Sequence, residues 1–332
     1  MSELRLTLAV GDYDHTRDLA LGRVRPQGID LTVLNYNVEE IFFRFYDRAE
    51  WEVSEMSMGM YTSALSRGDD RMIAIPVFPS RVFRHSAFYV RSDGAIHKPE
   101  DLAGKRVGVP QWSQTATIYA RGYLTSTVGI PLSGIEWVQA GVNDPGRDEH
   151  ARLRLPPEVK LRVVPDRSLS EMLLAGDIDA IISARVPRPV VEGDRRIRRL
   201  FPDFRAVEQA YFRQTGIFPI MHTVVIRRDA YEANRWIARN LMIAFEEARD
   251  RSIVRMLDLT ASYVPIPWGM DFAREAGSEL VFKGAGYWPY GVEANRVTLD
   301  AFLQYAFEQG TCHRRLRVEE IFAEEALAQI KI

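Results

Sequence analysis

Leu173-Leu174-Ala175-Gly176-Asp177-Ile178-Asp179-Ala180-Ile181-Ile182-Ser183 is the stretch on which the fold turns. Its first residues close a helix that starts at Leu169, and Gly176 is the stop, because a glycine enters the left-handed backbone region without steric cost. The run Ile178 to Ser183 is then too short and too apolar for a second helix and reads as a buried strand. Upstream, Asp101-Leu102-Ala103-Gly104-Lys105 is a polar turn that leads into the brief strand Arg106–Val109. A helix from about Ala116 to Val128 follows, stopped by Gly129 and Pro131, and Leu161 to Val164 is a further strand. Strands that alternate with helices in this way build a parallel sheet.

The pattern begins earlier in the chain. Leu4, Leu6, Leu8 and Val10 alternate with Arg5, Thr7 and Ala9, which marks a strand with one strongly buried face. Ile29 to Leu34, Trp51 to Ser57 and Met72 to Val77 are further strands. Ile41, Phe42 and Phe45 form the apolar face of a helix over 38–48, and Met58 to Leu65 reads as the helix after the third strand. Ser86 to Val90 is another strand, Thr223 to Ile226 a late one, and Ala230 to Asp250 a long helix.

At about 150 residues per domain, 332 residues suggest two domains. The chain is expected to cross between them near Arg91–Ile96 and again near Leu200–Val207. One lobe then comprises residues 1–92 and 205–332, and the other 93–204. The cleft-facing loops lie beyond the C-terminal ends of the strands. They are Gly11–Arg17, Glu55–Met58, Pro79–Ser86, Pro110–Thr117, Ser183–Arg188 and Phe218–Thr223.

Composition narrows the function. Lys and Arg number 43 against 45 Asp and Glu, so the net charge of −2 gives no reason to expect nucleic acid or an anionic membrane as partner. A single cysteine, Cys312, excludes an internal disulfide and a cysteine-based metal cluster. No run of about 18 apolar residues is present. The N-terminus lacks a basic segment followed by an apolar one, so a cytoplasmic protein is expected. There is no HExxH, no GxGxxG after the first strand and no Walker loop. Neither a metal nor a nucleotide cofactor is expected.

The order of strands resembles the type 2 periplasmic-binding-protein fold, two α/β lobes around a ligand cleft. Six segments carry a narrower likeness: Gly11–Leu19 (GDYDHTRDL), Val24–Leu31 (VRPQGIDL), Val53–Tyr61 (VSEMSMGMY), Phe78–Ser86 (FPSRVFRHS), Gly216–Asp229 (GIFPIMHTVVIRRD) and Tyr290–Gly310 (YGVEANRVTLDAFLQYAFEQG). Together they are similar to the 4,5-dihydroxyphthalate decarboxylase family, cytoplasmic members of that fold. The resemblance implies a cofactor-independent carboxy-lyase acting on a small hydroxylated aromatic carboxylate, and a homo-oligomer is expected. The alternative is a solute-binding protein for a small aromatic carboxylate, which would close around its ligand without chemistry.

The implied reaction needs a proton donor over the ring carbon, a cation for the retained carboxylate and a partner for the phenol. Its developing charge disfavours a strong cation on the carboxylate that leaves. His222 and His85 are the expected proton carriers, since imidazole both gives and takes a proton near neutrality. Asp14, in a loop with Asp12 and His15, is the candidate to orient one of them, although a helix cap is the plainer role for one of the two acids. Arg81 and Arg84 are the expected guanidinium donors. Glu55 and Ser57 sit where a strand becomes a helix, and Ser113, Gln114 and Thr115 occupy the matching place in the second lobe. Trp112 is placed to stack on an aromatic ring, with core packing as the usual alternative for a tryptophan, and Arg185 to close the cleft from the far side. Tyr287, Trp288, Pro289 and Tyr290 form an aromatic stretch assigned to a site wall or a subunit contact. A two-His, one-carboxylate metal set from His85, His222 and Asp14 or Glu55 carries little signal, because the histidines are distant in sequence.

Overall fold

The computed structural model describes residues 3–258, 260–261, 263, 265–279, 286 and 288–327. The chain runs through β1 (Leu4–Val10), β2 (Ile29–Asn35), β3 (Val53–Ser57) and β4 (Met72–Ile75). It continues through β5 (Phe88–Arg91), β6 (Arg106–Val109), β7 (Glu136–Gln139), β8 (Leu161–Val163), β9 (Ala180–Ile182) and β10 (Ile197–Arg199), and returns as β11 (His222–Arg227). Two sheets result, in the orders β2-β1-β3-β11-β4 and β10-β5-β9-β6-β7-β8. The inner pairs β1–β2, β1–β3, β6–β7 and β6–β9 are parallel. The return strand β11 is antiparallel to both β3 and β4. Each sheet thus has the alternating α/β pattern of a two-lobe binding fold.

The quoted stretch behaves as its chemistry dictates. The helix Leu169–Ala175 starts with a capping box between Ser168 and Glu171, and Gly176 closes it at φ 79°. Ile178, Ala180, Ile181 and Ile182 are all buried. Leu6, Leu8 and Val10 point into the first lobe's core as expected, and Ala9 is buried as well. A parallel strand covered on both faces loses its clean alternation.

Several boundaries differ from the sequence reading. Phe88–Arg91 pairs with β9 and β10, so it belongs to the second sheet, and the first crossing falls within 76–87 rather than at Arg91–Ile96. The FPSRVFRHS segment is therefore itself part of the crossing. The expected long helix splits at Asn234 into Arg228–Ala233 and Trp236–Leu257. The helix Phe204–Thr215 carries the return crossing. Among the described residues no helix is long and apolar enough to cross a membrane.

The lobes meet closely. Gly59, in the helix Met58–Ser66, lies so near the second lobe that an added Cβ would stand 2.2 Å from the Ser113 carbonyl oxygen. Beside it the Ser57 and Thr115 hydroxyls are 3.0 Å apart, and the Gly59 N–H donates to Thr115 Oγ1 at 3.0 Å. Further out, Glu39 on the helix Val38–Arg48 pairs with Arg147 at 3.0 Å and Arg185 at 3.2 Å, both from the second lobe.

Candidate active site

A cleft of about 260 Å³ lies between the lobes, walled by Phe42, Phe43, Ser57, Arg84, Gln114, Thr115, Arg147, His150, Met221 and His222 among others. A second hollow of about 230 Å³ adjoins it and shares Glu39, Gln114 and Arg147. Strand register explains the first group of side chains. His222 stands opposite Ser57 in the β11–β3 ladder, and Val224 opposite Glu55. Residues two apart on a strand share a face, so Glu55, Ser57 and His222 all project to one side of the sheet. The diagonal brings His222 Nδ1 to 2.6 Å from Glu55 Oε1.

Glu55 is fully buried and fully engaged. The Gly11 N–H donates to Oε2 at 2.8 Å and the Tyr13 hydroxyl to Oε1 at 2.8 Å. Burial first, and the adjoining Glu55 charge second, push the Tyr13 pKa upward, so the phenol stays a donor. With Nδ1 held by a carboxylate, the Nε2 atom of His222 is the one left for a ligand. The edge of Phe42 packs on the imidazole with centroids 4.8 Å apart, which fixes the ring plane.

Two guanidinium groups line this cleft, and whereas Arg147 is paired with Glu39, Arg84 is not. Its Nε donates to Met221 Sδ at 3.2 Å, and among the described residues no carboxylate lies within 4.0 Å of it. Burial lowers its pKa to about 10, with partial compensation from Glu208, so it remains protonated. A half-buried guanidinium without a carboxylate carries a desolvation cost that a bound anion would offset.

Other expected residues lie elsewhere. Arg81 is buried beneath the crossing, where its guanidinium donates to the Phe218 and Pro289 carbonyls at 2.9 and 3.2 Å and lies 4.3 Å from the Phe218 ring centroid. Those bonds turn it away from the cleft, and the assignment to substrate is corrected. His85 is buried in an aromatic nest of Tyr123, Tyr211 and Phe201, at centroid distances of 4.4, 5.0 and 5.7 Å. Burial lowers its pKa to about 4, and it sits behind Arg84 rather than beside His222. A neutral, enclosed imidazole is not the proton donor expected from its sequence neighbours. Asp14 is half-exposed and bound to Ser252 at 2.5 Å and Arg255 at 3.2 Å, tying the loop after β1 to the long helix instead of orienting a histidine. His15 bonds the Pro79 carbonyl at 2.9 Å and stacks on Tyr13.

Trp112 is wholly buried, edge-on to Trp137 at 5.4 Å, with its Nε1–H on the Gln309 carbonyl at 2.7 Å. It is a core residue and does not stack on a ligand. Ser57, Gln114 and Thr115 do line the cleft, and among the described residues Gln114 Oε1 has no hydrogen-bond partner. Ser113 lines it too, with its hydroxyl and N–H directed at Glu149. Arg185 lines the adjoining hollow and pairs with Glu39. Of the aromatic stretch, Tyr287 lies outside the described residues. The Trp288 Nε1–H donates to the Phe78 carbonyl at 3.1 Å, and Tyr290 is buried near Phe78.

Sequence reasoning missed Glu39, Arg147 and His150. The last two lie in the stretch after β7, which has no periodic signal, and only tertiary contact brings it over the cleft. Burial and two guanidinium groups compete at Glu39; Arg147 and Arg185 win, and its carboxyl sits below the usual range.

The 4,5-dihydroxyphthalate decarboxylase of Comamonas testosteroni is 37% identical over 333 residues, covering 100% of both chains. The chain belongs to the 4,5-dihydroxyphthalate decarboxylase family. It is therefore a carboxy-lyase. The Pseudomonas putida 4,5-dihydroxyphthalate decarboxylase is 36% identical over 214 residues, covering 64% of this chain and 83% of that one. No family model matches. Among solved structures, the periplasmic aliphatic sulphonate binding protein of Escherichia coli aligns with a TM-score of 0.53 at 12% identity, covering 99% of this chain and 100% of its own. The putative sulfonate-binding protein of Methylobacillus flagellatus reaches 0.55 at 13% identity, over 98% and 94% of the two chains. The desulfurization enzyme DSZB reaches 0.52 at 16% identity, over 98% of each chain. These neighbours show the two-lobe fold. They include binders and an enzyme, so the fold alone does not separate the two classes, and the full-length relative does.

Proposed function

We propose that the cleft removes one carboxylate from a hydroxylated benzene dicarboxylate of the 4,5-dihydroxyphthalate kind by protonating the ring carbon that bears it. The observation that carries this reading is the His222 imidazole, held at Nδ1 by buried Glu55 and facing the same cleft as the Arg84 guanidinium. Arg84 binds the retained carboxylate, where its charge persists through the reaction. His222 delivers the proton, and a dienone-like intermediate stores the electron pair in the ring. The C–C bond then breaks, CO₂ leaves and aromaticity returns. Phe42, Phe43 and Met221 provide an apolar wall, which favours loss of the negative carboxylate over its retention.

Glu55 balances the imidazolium while His222 carries its proton, and Tyr13 and the Gly11 N–H hold Glu55 in place. Exposed Val254, Tyr263, Ile266, Trp268 and Phe272 support a homo-oligomer. The reading keeps the cytoplasmic location expected from the sequence. The test is incubation of the protein with 4,5-dihydroxyphthalate and measurement of CO₂ and 3,4-dihydroxybenzoate. Recovery of the unchanged diacid from folded protein would overturn it.

A further inference from the structure

The cleft holds a second imidazole. His150 lines the same walls as His222, and among the described residues no protein group hydrogen-bonds its ring nitrogens. The two histidines rest on consecutive residues of one helix: the edge of Phe42 meets His222 at 4.8 Å, and the ring of Phe43 lies 4.5 Å from His150. One side of the cleft thus presents an imidazole from the first lobe and one from the second.

His150 is irregular in backbone but not loosely held. Just before it, Arg147 donates to both Glu39 oxygens, at 3.0 and 3.4 Å, and to Gln111 Oε1 at 3.0 Å. The adjacent Glu149 carboxylate accepts the Trp112 and Ser113 N–H groups at 2.6 and 3.1 Å, and the Ser113 hydroxyl. The Gln111 side chain also donates to the Asp148 carbonyl at 2.5 Å. After it, His313 Nε2 bonds the Arg152 carbonyl at 2.6 Å. Anchors on both sides fix the one residue between them whose ring is free for a ligand.

We propose that His150 is the base that takes the phenol proton while His222 protonates the ring carbon. This rests on the decarboxylase reading above and adds the residue that reading leaves unnamed. Ring protonation is hard for a neutral phenol, because the electron pair that forms the new C–H bond must come from the ring. Removing the proton of a hydroxyl para to the leaving carboxylate supplies that pair from oxygen. His150 gains the phenol proton and His222 loses its own to carbon. The C–C bond to the carboxylate then breaks, its electrons return to the ring, and the carbonyl becomes a phenolate that recovers its proton from His150. The net change is consumption of one proton, which His222 regains from water, and release of one CO₂. The charged and titratable groups on the surrounding elements are Glu39, Arg84, Arg147 and His222 on the cleft walls, with Glu149 next in the chain.

The experiment compares H150Q with the unsubstituted protein on 4,5-dihydroxyphthalate. His150 is exposed, so the fold tolerates the change. The expected result is a fall in kcat of roughly a hundredfold or more with KM within about threefold, the pattern of a lost acid–base group. In deuterium oxide, exchange of ring hydrogen in 3,4-dihydroxybenzoate should slow in parallel, because it needs both proton transfers and no C–C cleavage. Added imidazole should restore part of the rate in H150G. A wild-type kcat in H150Q, or a raised KM with kcat intact, would overturn the role of His150. No CO₂ from the unsubstituted protein would instead overturn the decarboxylase reading itself.

Discussion

Glu55 and His222 sit diagonally across the β3–β11 ladder, 2.6 Å apart in space and 167 residues apart in the chain. The pair exists because the return strand runs antiparallel to β3 in the register that sets His222 opposite Ser57. The carboxylate is buried on an interior strand of the sheet and only the imidazole reaches the cleft. Replacing Glu55 by Gln removes the charge that balances the imidazolium. Turnover should fall by about a hundredfold, on the scale of losing the proton donor. Tyr13→Phe should cost less than about tenfold, since it removes one neutral donor worth about 1 kcal/mol. Steady-state kinetics on 4,5-dihydroxyphthalate checks both, and equal effects would contradict the assigned roles.

Arg84 faces the cleft and, among the described residues, has no carboxylate within 4.0 Å. Arg84→Met keeps an unbranched side chain of similar length and removes a half-buried charge. KM should rise roughly tenfold to a hundredfold, from loss of charged hydrogen bonds worth about 1.5–3 kcal/mol. The ligand-free protein should melt no lower than the parent, because a half-buried cation without a counter-ion contributes little to stability. An unchanged KM would remove Arg84 from the site.

Gly59→Ala sets two effects against each other. A helical Gly→Ala change ordinarily stabilises by up to about 1 kcal/mol. Here the new Cβ would stand 2.2 Å from the Ser113 carbonyl, a backbone atom of the other lobe that cannot rotate away. Overpacking should win, with a net loss of about 1–3 kcal/mol in urea unfolding. Unchanged stability would mean that the lobes separate freely at this contact.

His85 and Glu208, 3.9 Å apart, give opposite pH slopes. Burial lowers His85 from 6.5 to about 4, so between those values the unfolded chain binds more protons and stability rises with pH. Burial raises Glu208 from 4.5 to about 7, so over that range the folded protein binds more protons and stability falls with pH. The two slopes largely cancel between 4.5 and 6.5. His85→Phe keeps the aromatic nest and removes one slope. Unfolding free energy in the variant should then fall as pH rises from about 4.5 to about 7. A flat profile in the variant would refute the compensation.

How legible the site was follows from where each signal resides. Local chemistry placed the helices and strands around Gly176, and the apolar alternation of β1, within a residue or two. His222 and Arg84 were legible because they sit at strand and crossing ends, where loops meet a cleft. Arg81 and His85 share the same short segment as Arg84, and sequence could not tell which would turn inward. Their fate was set by the Phe218 and Pro289 carbonyls and by the Tyr123–Tyr211 nest. Trp112 looked like a stacking platform, yet its indole was claimed by Trp137 and Gln309.

The amino-acid sequence alone determined the two α/β units, their order and the likeness to a decarboxylase family. Those depend on periodicity, turn residues and extended matching segments, all of which are written along the chain. Only the tertiary structure decided that Glu55 supports His222, that Arg84 faces the cleft while Arg81 does not, and that His150 reaches it. Those outcomes depend on strand register and on which distant carbonyl, ring or carboxylate satisfies each polar group. Such pairings form through space between segments more than a hundred residues apart, and no local pattern encodes them.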